Sequence, residues 1–123
     1  MKTNNLIVDS FDKLPSPSYV CEEKLLEKNL ILLKRIQDEA DVNILLALKG
    51  FAMWSTFDLC KKYLKGCCAS GLHEAILAKE EFGGEVHTYS AAFKDDEIDE
   101  IISISNHVVF NSFNQLKRYK EKA

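Results

Sequence analysis

Lys49 is the residue on which chemistry is most readily built. It ends the apolar run Ile44-Leu45-Leu46-Ala47-Leu48 and is followed at once by Gly50 and Phe51. An apolar run of this length reads as a strand buried on both faces, as in a parallel sheet. Lys49 then stands at the strand's C-terminal end, where α/β proteins keep their chemistry. Position alone leaves two readings open. Either the lysine has left the core and points into solvent, or its amine is held in a partly dry pocket as a nucleophile that forms a Schiff base with a carbonyl.

Other reactive residue types are placed less tellingly. His87 and Tyr89 lie two apart in Glu85-Val-His-Thr-Tyr-Ser90 and so share one face of a strand. Ser70 is placed to cap a helix, and Glu74 is a first-turn carboxylate favoured by that helix's dipole. Asn111 follows a strand and belongs to its C-terminal end, whereas His107 begins one, the wrong end for chemistry. Cys67 and Cys68 are adjacent on a strand and should point to opposite faces, which makes a shared metal difficult. There is no CxxC pair, and His73, His87 and His107 are far apart in sequence, although parallel strands can bring such residues together. No metal site is expected.

The elements that must position these residues are read from periodicity. Residues 1–13 lack a clear period and form a leader. Leu14-Pro-Ser-Pro17 is an extended, punctuated segment, with a short strand following at Ser18–Cys21. From Glu22 to Glu39 the period becomes helical, with Leu26, Leu30 and Leu33 in line and Leu25, Leu32 and Ile36 widening the stripe. Strands are expected to begin near residues 44, 66, 86 and 107, with helices between them. Ser55 with Asp58 and Ser112 with Gln115 resemble capping arrangements, and Gly83-Gly84 stops a helix. This even train of βα units predicts parallel strands joined by right-handed crossovers. At 123 residues, against ~250 for a typical (β/α)8 barrel, the pattern is that of about its first half.

Composition narrows the function classes. Sixteen Lys and Arg against 19 Asp and Glu leave a formal charge of -3, which argues against a nucleic-acid or anionic-membrane partner. No apolar run approaches the ~20 residues of a membrane span, and the N-terminal apolar segment is too short for a signal peptide. A cytoplasmic location and reduced cysteines are the corresponding expectations. No glycine-rich nucleotide fingerprint follows the first strand.

Five segments, taken in order, are recognisable. Leu14-Pro-Ser-Pro-Ser-Tyr-Val20, Leu45-Leu-Ala-Leu-Lys-Gly-Phe51, Ala69-Ser-Gly-Leu-His-Glu74, Glu85-Val-His-Thr-Tyr-Ser90 and Val109-Phe-Asn-Ser-Phe113 together resemble the beginning of the carboxynorspermidine (carboxyspermidine) decarboxylase family. These are alanine-racemase-fold decarboxylases dependent on pyridoxal 5'-phosphate (PLP), with a (β/α)8 barrel followed by a β-rich domain. The resemblance covers residues 14 to 120 and about the first third of a family member. It implies a carboxy-lyase of polyamine and spermidine biosynthesis, acting on a polyamine substrate, homodimeric when complete. Lys49 matches the lysine that holds PLP, Glu74 a glutamate near that lysine, and Ser70, Tyr89 and His87 are implied around the cofactor. Ornithine-type relatives carry an aspartate where Cys67 stands here, so the resemblance favours the carboxynorspermidine branch. In the family, the phosphate cradle and the acid paired with the pyridine nitrogen come later in the chain. The implied domain is therefore residues 14–123 as the N-terminal part of a PLP barrel without its β domain, inactive alone. The alternatives are a non-catalytic half-barrel that needs a partner or a second copy of itself, and an unrelated α/β binding module.

Overall fold

The alternation seen in Glu85–Ser90 is realised at the centre of the molecule. In the computed structural model, which describes residues 12–123, this segment is a strand flanked by others on both sides. The leader expected at residues 1–13 lies, through residue 11, outside the described residues. Four strands form one sheet: β1 (Leu45–Ala47), β2 (Gly66–Ala69), β3 (Glu85–Ser90) and β4 (His107–Phe110). They pair in the order β1-β2-β3-β4, every pair parallel. Helix α1 (Glu23–Ala40) precedes β1, α2 (Phe57–Cys60) joins β1 to β2, and α3 (Leu72–Leu77) joins β2 to β3. Helix α4 (Ile98–Ile104) joins β3 to β4, and α5 (Phe113–Tyr119) follows β4. This is an α/β fold of four parallel strands alternating with helices, consistent with part of a (β/α)8 barrel.

The register sorts strand residues into rows. Leu46, Cys67 and Val86 form one row, and Ala47, Cys68, His87 and His107 form the next. Ala69, Thr88 and Val108 follow, then Tyr89 with Val109. Successive rows face opposite sides of the sheet. One side is covered by helices: Cys67, Ala69 and Val86 are buried with Leu30 of α1, Phe57 and Cys60 of α2, Ala75 of α3, and Ala78 and Phe82 beyond it. Phe57 and Phe82 meet edge to face at 5.6 Å, and fully burying one such ring is worth about 1.5–3 kcal/mol. A second cluster of Phe93, Ile98, Ile101 and Tyr119 closes the β4 end, with Phe110 packed against it. The other side of the sheet is bare. Ala47, Cys68, His107, Tyr89 and Val109 are exposed there.

Two local devices set the frame. Gln37 is buried at the end of α1, where its Nε2 donates to Tyr63 O at 2.8 Å and its Oε1 accepts from Ile44 N–H at 2.7 Å. Both ends of the amide are satisfied, so its burial carries little penalty and ties α1 to the entries of β1 and β2. At the N-terminal edge of the sheet, β2 and β3 approach so closely that a Cβ on Gly66 would lie 2.0 Å from Glu85 O. One on Gly84 would lie 2.5 Å from Lys65 O. Gly83, at φ 74°, ends the preceding helical segment in the left-handed conformation.

Several expectations are corrected. The strand expected at residues 44–49 is only Leu45–Ala47, because Gly50 and Phe51 N–H both donate to Ala47 O and turn the chain. Ser18–Cys21 is not a strand. The stripe on α1 is narrower than its periodicity suggests: Leu26, Leu30 and Leu33 join the core, while Leu25, Leu32 and Ile36 are exposed. Ser55 does not cap α2. Thr56 Oγ1 instead donates to Met53 O at 2.8 Å, and Asp58 pairs with Lys61.

Candidate functional site at the C-terminal rim of the sheet

Parallel strands deliver all their C-terminal ends to one rim. Lys49 follows β1, Ser70 follows β2, Tyr89 and Ser90 end β3, and Asn111 follows β4. Leu48 is buried and anchors the turn, its N–H donating to Cys68 O, while Lys49 next to it is exposed. Among the described residues the Lys49 amine enters no ion pair. Beside it, Tyr19, Val20 and Cys21 face Gly50 to Ser55 across a cleft of about 670 Å³.

Glu74 and Ser70 are brought together in a way that reverses the expected cap. Ser70 does not cap α3 through its hydroxyl; its backbone N–H donates to Glu74 Oε2 at 2.7 Å. The carboxylate reaches back from the first turn of α3 and ties that helix to the end of β2. Tyr89 Oη donates to Asn111 Oδ1 at 2.8 Å and links the ends of β3 and β4 on the bare side of the sheet. Lys49, Ser70, Glu74, Tyr89 and Asn111 thus share the rim. His87 does not, because its register places it in the row of Ala47, a step deeper.

Cys67 lies on the other face. It is fully buried in the helix-side cluster, and that burial pushes its thiol from the ordinary 9.0 up to about 12, with Cys60 and Cys68 adding to the shift. Cys68, one residue on, is exposed on the bare face, and all four cysteines are free. Sequence reasoning set Cys68 aside with Cys67 as an awkward metal pair and His107 as standing at the wrong end of its strand, and assigned Glu85 no role. The signal that points to them is the in-register pairing of Cys68, His87 and His107 across β2, β3 and β4.

Fold and rim define a class: an open run of βα units with an exposed lysine just past the first strand, at the C-terminal rim of the sheet. No protein-family model matches the chain. It is 47% identical over 112 residues to a carboxynorspermidine/carboxyspermidine decarboxylase of Campylobacter jejuni, covering 91% of this chain and 29% of that protein. It is 46% identical over 108 residues to the carboxyaminopropylagmatine decarboxylase of Synechocystis sp., with coverage of 88% and 28%. A carboxynorspermidine/carboxyspermidine decarboxylase of Herminiimonas arsenicoxydans is 39% identical over 110 residues, with coverage of 89% and 30%. The crystal structure of the C. jejuni carboxynorspermidine decarboxylase complexed with norspermidine superposes with a TM-score of 0.86 at 48% identity, covering 89% of this chain and 30% of that one. Over the matched stretch the chain is homologous to the carboxynorspermidine/carboxyspermidine decarboxylases of the alanine-racemase-fold family. It spans about 30% of the length of these relatives. No helix among the described residues is long and apolar enough to cross a membrane.

Proposed function

We propose that the chain is the N-terminal part of a PLP-dependent decarboxylase that converts carboxynorspermidine or carboxyspermidine to norspermidine or spermidine, with Lys49 carrying the cofactor. The observation that supports this most is placement: an exposed lysine immediately past β1, at the rim where the ends of all four strands converge. The described residues are compatible with the aldehyde end of PLP: Lys49 is exposed, and Gly50, the residue after it, begins the wall of a cleft of about 670 Å³. When bound, PLP supplies the electron sink for loss of carbon dioxide.

The chain's own residues position and enclose. Leu48, buried beneath the turn, holds Lys49 at the rim. Glu74, through the Ser70 N–H, fixes where α3 leaves the sheet. Tyr89 is held by Asn111 and presents its phenol on the bare side, where a ring or a substrate amine would lie. His87, a row deeper, is the least well placed of the five residues that the family resemblance implies. We assign the complete enzyme a homodimeric, cytoplasmic form, and the 123-residue chain alone no decarboxylase activity.

A second reading, that of a non-catalytic half-barrel which associates with a partner or another copy, is favoured by one observation. Val109, Phe113 and Leu116 are exposed together beside the β4 edge, where Val108 to Phe113 and Leu116 line a groove of about 480 Å³.

Reduction of a mixture of the chain and PLP with borohydride, followed by peptide mapping, tests the cofactor assignment. A stoichiometric adduct at Lys49 that is lost in Lys49→Ala is expected; labelling scattered over many lysines would overturn it. Carbon dioxide release from carboxynorspermidine by the chain alone should be at background. A mass of two chains or more in solution would favour the second reading.

A further inference from the structure

We propose that Glu85, His87 and His107 form a binding site for a divalent transition-metal ion of the zinc type on the bare face of the sheet. The donor atoms of these three residues all lie within 4.8 Å of one another. Their convergence follows from the backbone. Glu85 and His87 are two apart on β3 and share a face, and His107 of β4 is the in-register partner of His87.

The geometry is close to that of a ligand set. A tetrahedral zinc ion with bonds of about 2.0–2.2 Å holds its ligand atoms about 3.3 Å apart. His87 Nε2 and Glu85 Oε2 already stand 3.1 Å apart. The two imidazoles have ring centroids 4.3 Å apart and planes inclined at 45°, and no pair among the three donors is more than 4.8 Å apart. Two imidazoles in contact repel if both are protonated, whereas a dication is satisfied by two neutral rings and a carboxylate. Imidazole with carboxylate is a donor set suited to zinc and the neighbouring late transition metals. The ligands stand on paired strands rather than on loops, which preorganises them. Three protein ligands leave a fourth position open toward the bare side, for water or an external ligand. Cys68, exposed in the same row and paired with His87, adjoins the site.

The inference does not rest on the decarboxylase reading. It uses neither Lys49 nor Tyr89, and it gives His87 a role other than contact with PLP. It also revises the expectation that no metal site exists: two of the three histidines that are distant in sequence are brought together by the pairing of β3 with β4.

Cobalt(II) titration of the chelator-treated chain tests it, with absorption reporting coordination. One equivalent should bind saturably, with no thiolate-to-cobalt charge-transfer band. His87→Ala and His107→Ala should each weaken binding at least ~10-fold, no less than the loss of an outer-shell partner costs. His73→Ala, which alters an exposed histidine outside the cluster, should leave binding unchanged. A second measurement needs no variant: zinc should protect His87 and His107, and not His73, from carbethoxylation. Absence of saturable binding, binding unchanged in both variants, a dominant thiolate band, or equal protection of all three histidines would each overturn the proposal.

Discussion

The two faces of the sheet are made by the same four strands and have almost nothing else in common. On the covered face Cys67, Val86 and Thr88 have no accessible surface and Ala69 keeps 3%. On the bare face their immediate neighbours Cys68, His87 and Tyr89 are exposed or half-buried, and Tyr89 keeps 43%. The covered rows are small and apolar, apart from Thr88, whose hydroxyl is paired with that of Ser105 at 2.7 Å. The bare rows carry imidazoles, a thiol, a phenol and a carboxylate. The covered face therefore holds the fold and the bare face carries the side chains capable of chemistry, with one residue of strand separating the two sets.

The sharpest way to break this contrast is a charge on the covered side. Val86→Asp, on a central strand and fully buried, is expected to cost more than about 4 kcal/mol, because no partner for the carboxylate is at hand. Chemical denaturation would show it, and a cooperative unfolding transition near that of the wild type would refute the assignment of faces.

A subtler test uses the Cys67 thiol. Its folded pKa of about 12 lies above the ordinary 9.0, so the folded chain keeps a proton that the unfolded chain releases. That stabilisation is complete below pH 9.0 and is lost as pH rises toward about 12. Cys67→Ala should therefore cost about 1 kcal/mol at neutral pH, then draw level with the wild type and overtake it as pH climbs through that window, because the wild type alone loses stability there. Denaturation midpoints at a series of alkaline pH values would check it; parallel curves would place the thiol in solvent.

The smallest effects belong to the bare face. Cys68→Ser and Val109→Ser should each change stability by no more than about 0.5 kcal/mol. A loss several times larger in the isolated chain, growing with protein concentration, would show that a second copy covers this face.

Much of the scaffold was legible in the sequence because it depends on local pattern. The strands at Glu85–Ser90 and His107–Phe110 fall where alternation and turn residues put them, and the Ser112 hydroxyl accepts from Gln115 N–H as its spacing suggests. The short β1 was not legible: apolar character continues through Leu48, but strand pairing stops where two amides converge on Ala47 O. The width of the α1 face was misread because periodicity marks every apolar position, not the ones that another element covers. Likewise the rim was legible in the placement of Lys49, Tyr89 and Asn111. The Glu74 to Ser70 N–H contact and the Glu85, His87 and His107 cluster were not, since both depend on the exact conformation and register adopted.

The pinch between Gly66 and Gly84 gives the molecule an uneven tolerance of change. At that edge the backbones of β2 and β3 leave no room for so much as a methyl group, so any insertion or added side chain must pry the sheet apart. At the opposite edge the connections around residues 50–55 and 91–97 run past an open cleft and exposed turns. Loops grafted there, with the buried Phe93 kept, are expected to disturb the strands less. A lineage built on this frame can rework what it binds while the seam beneath stays as it is.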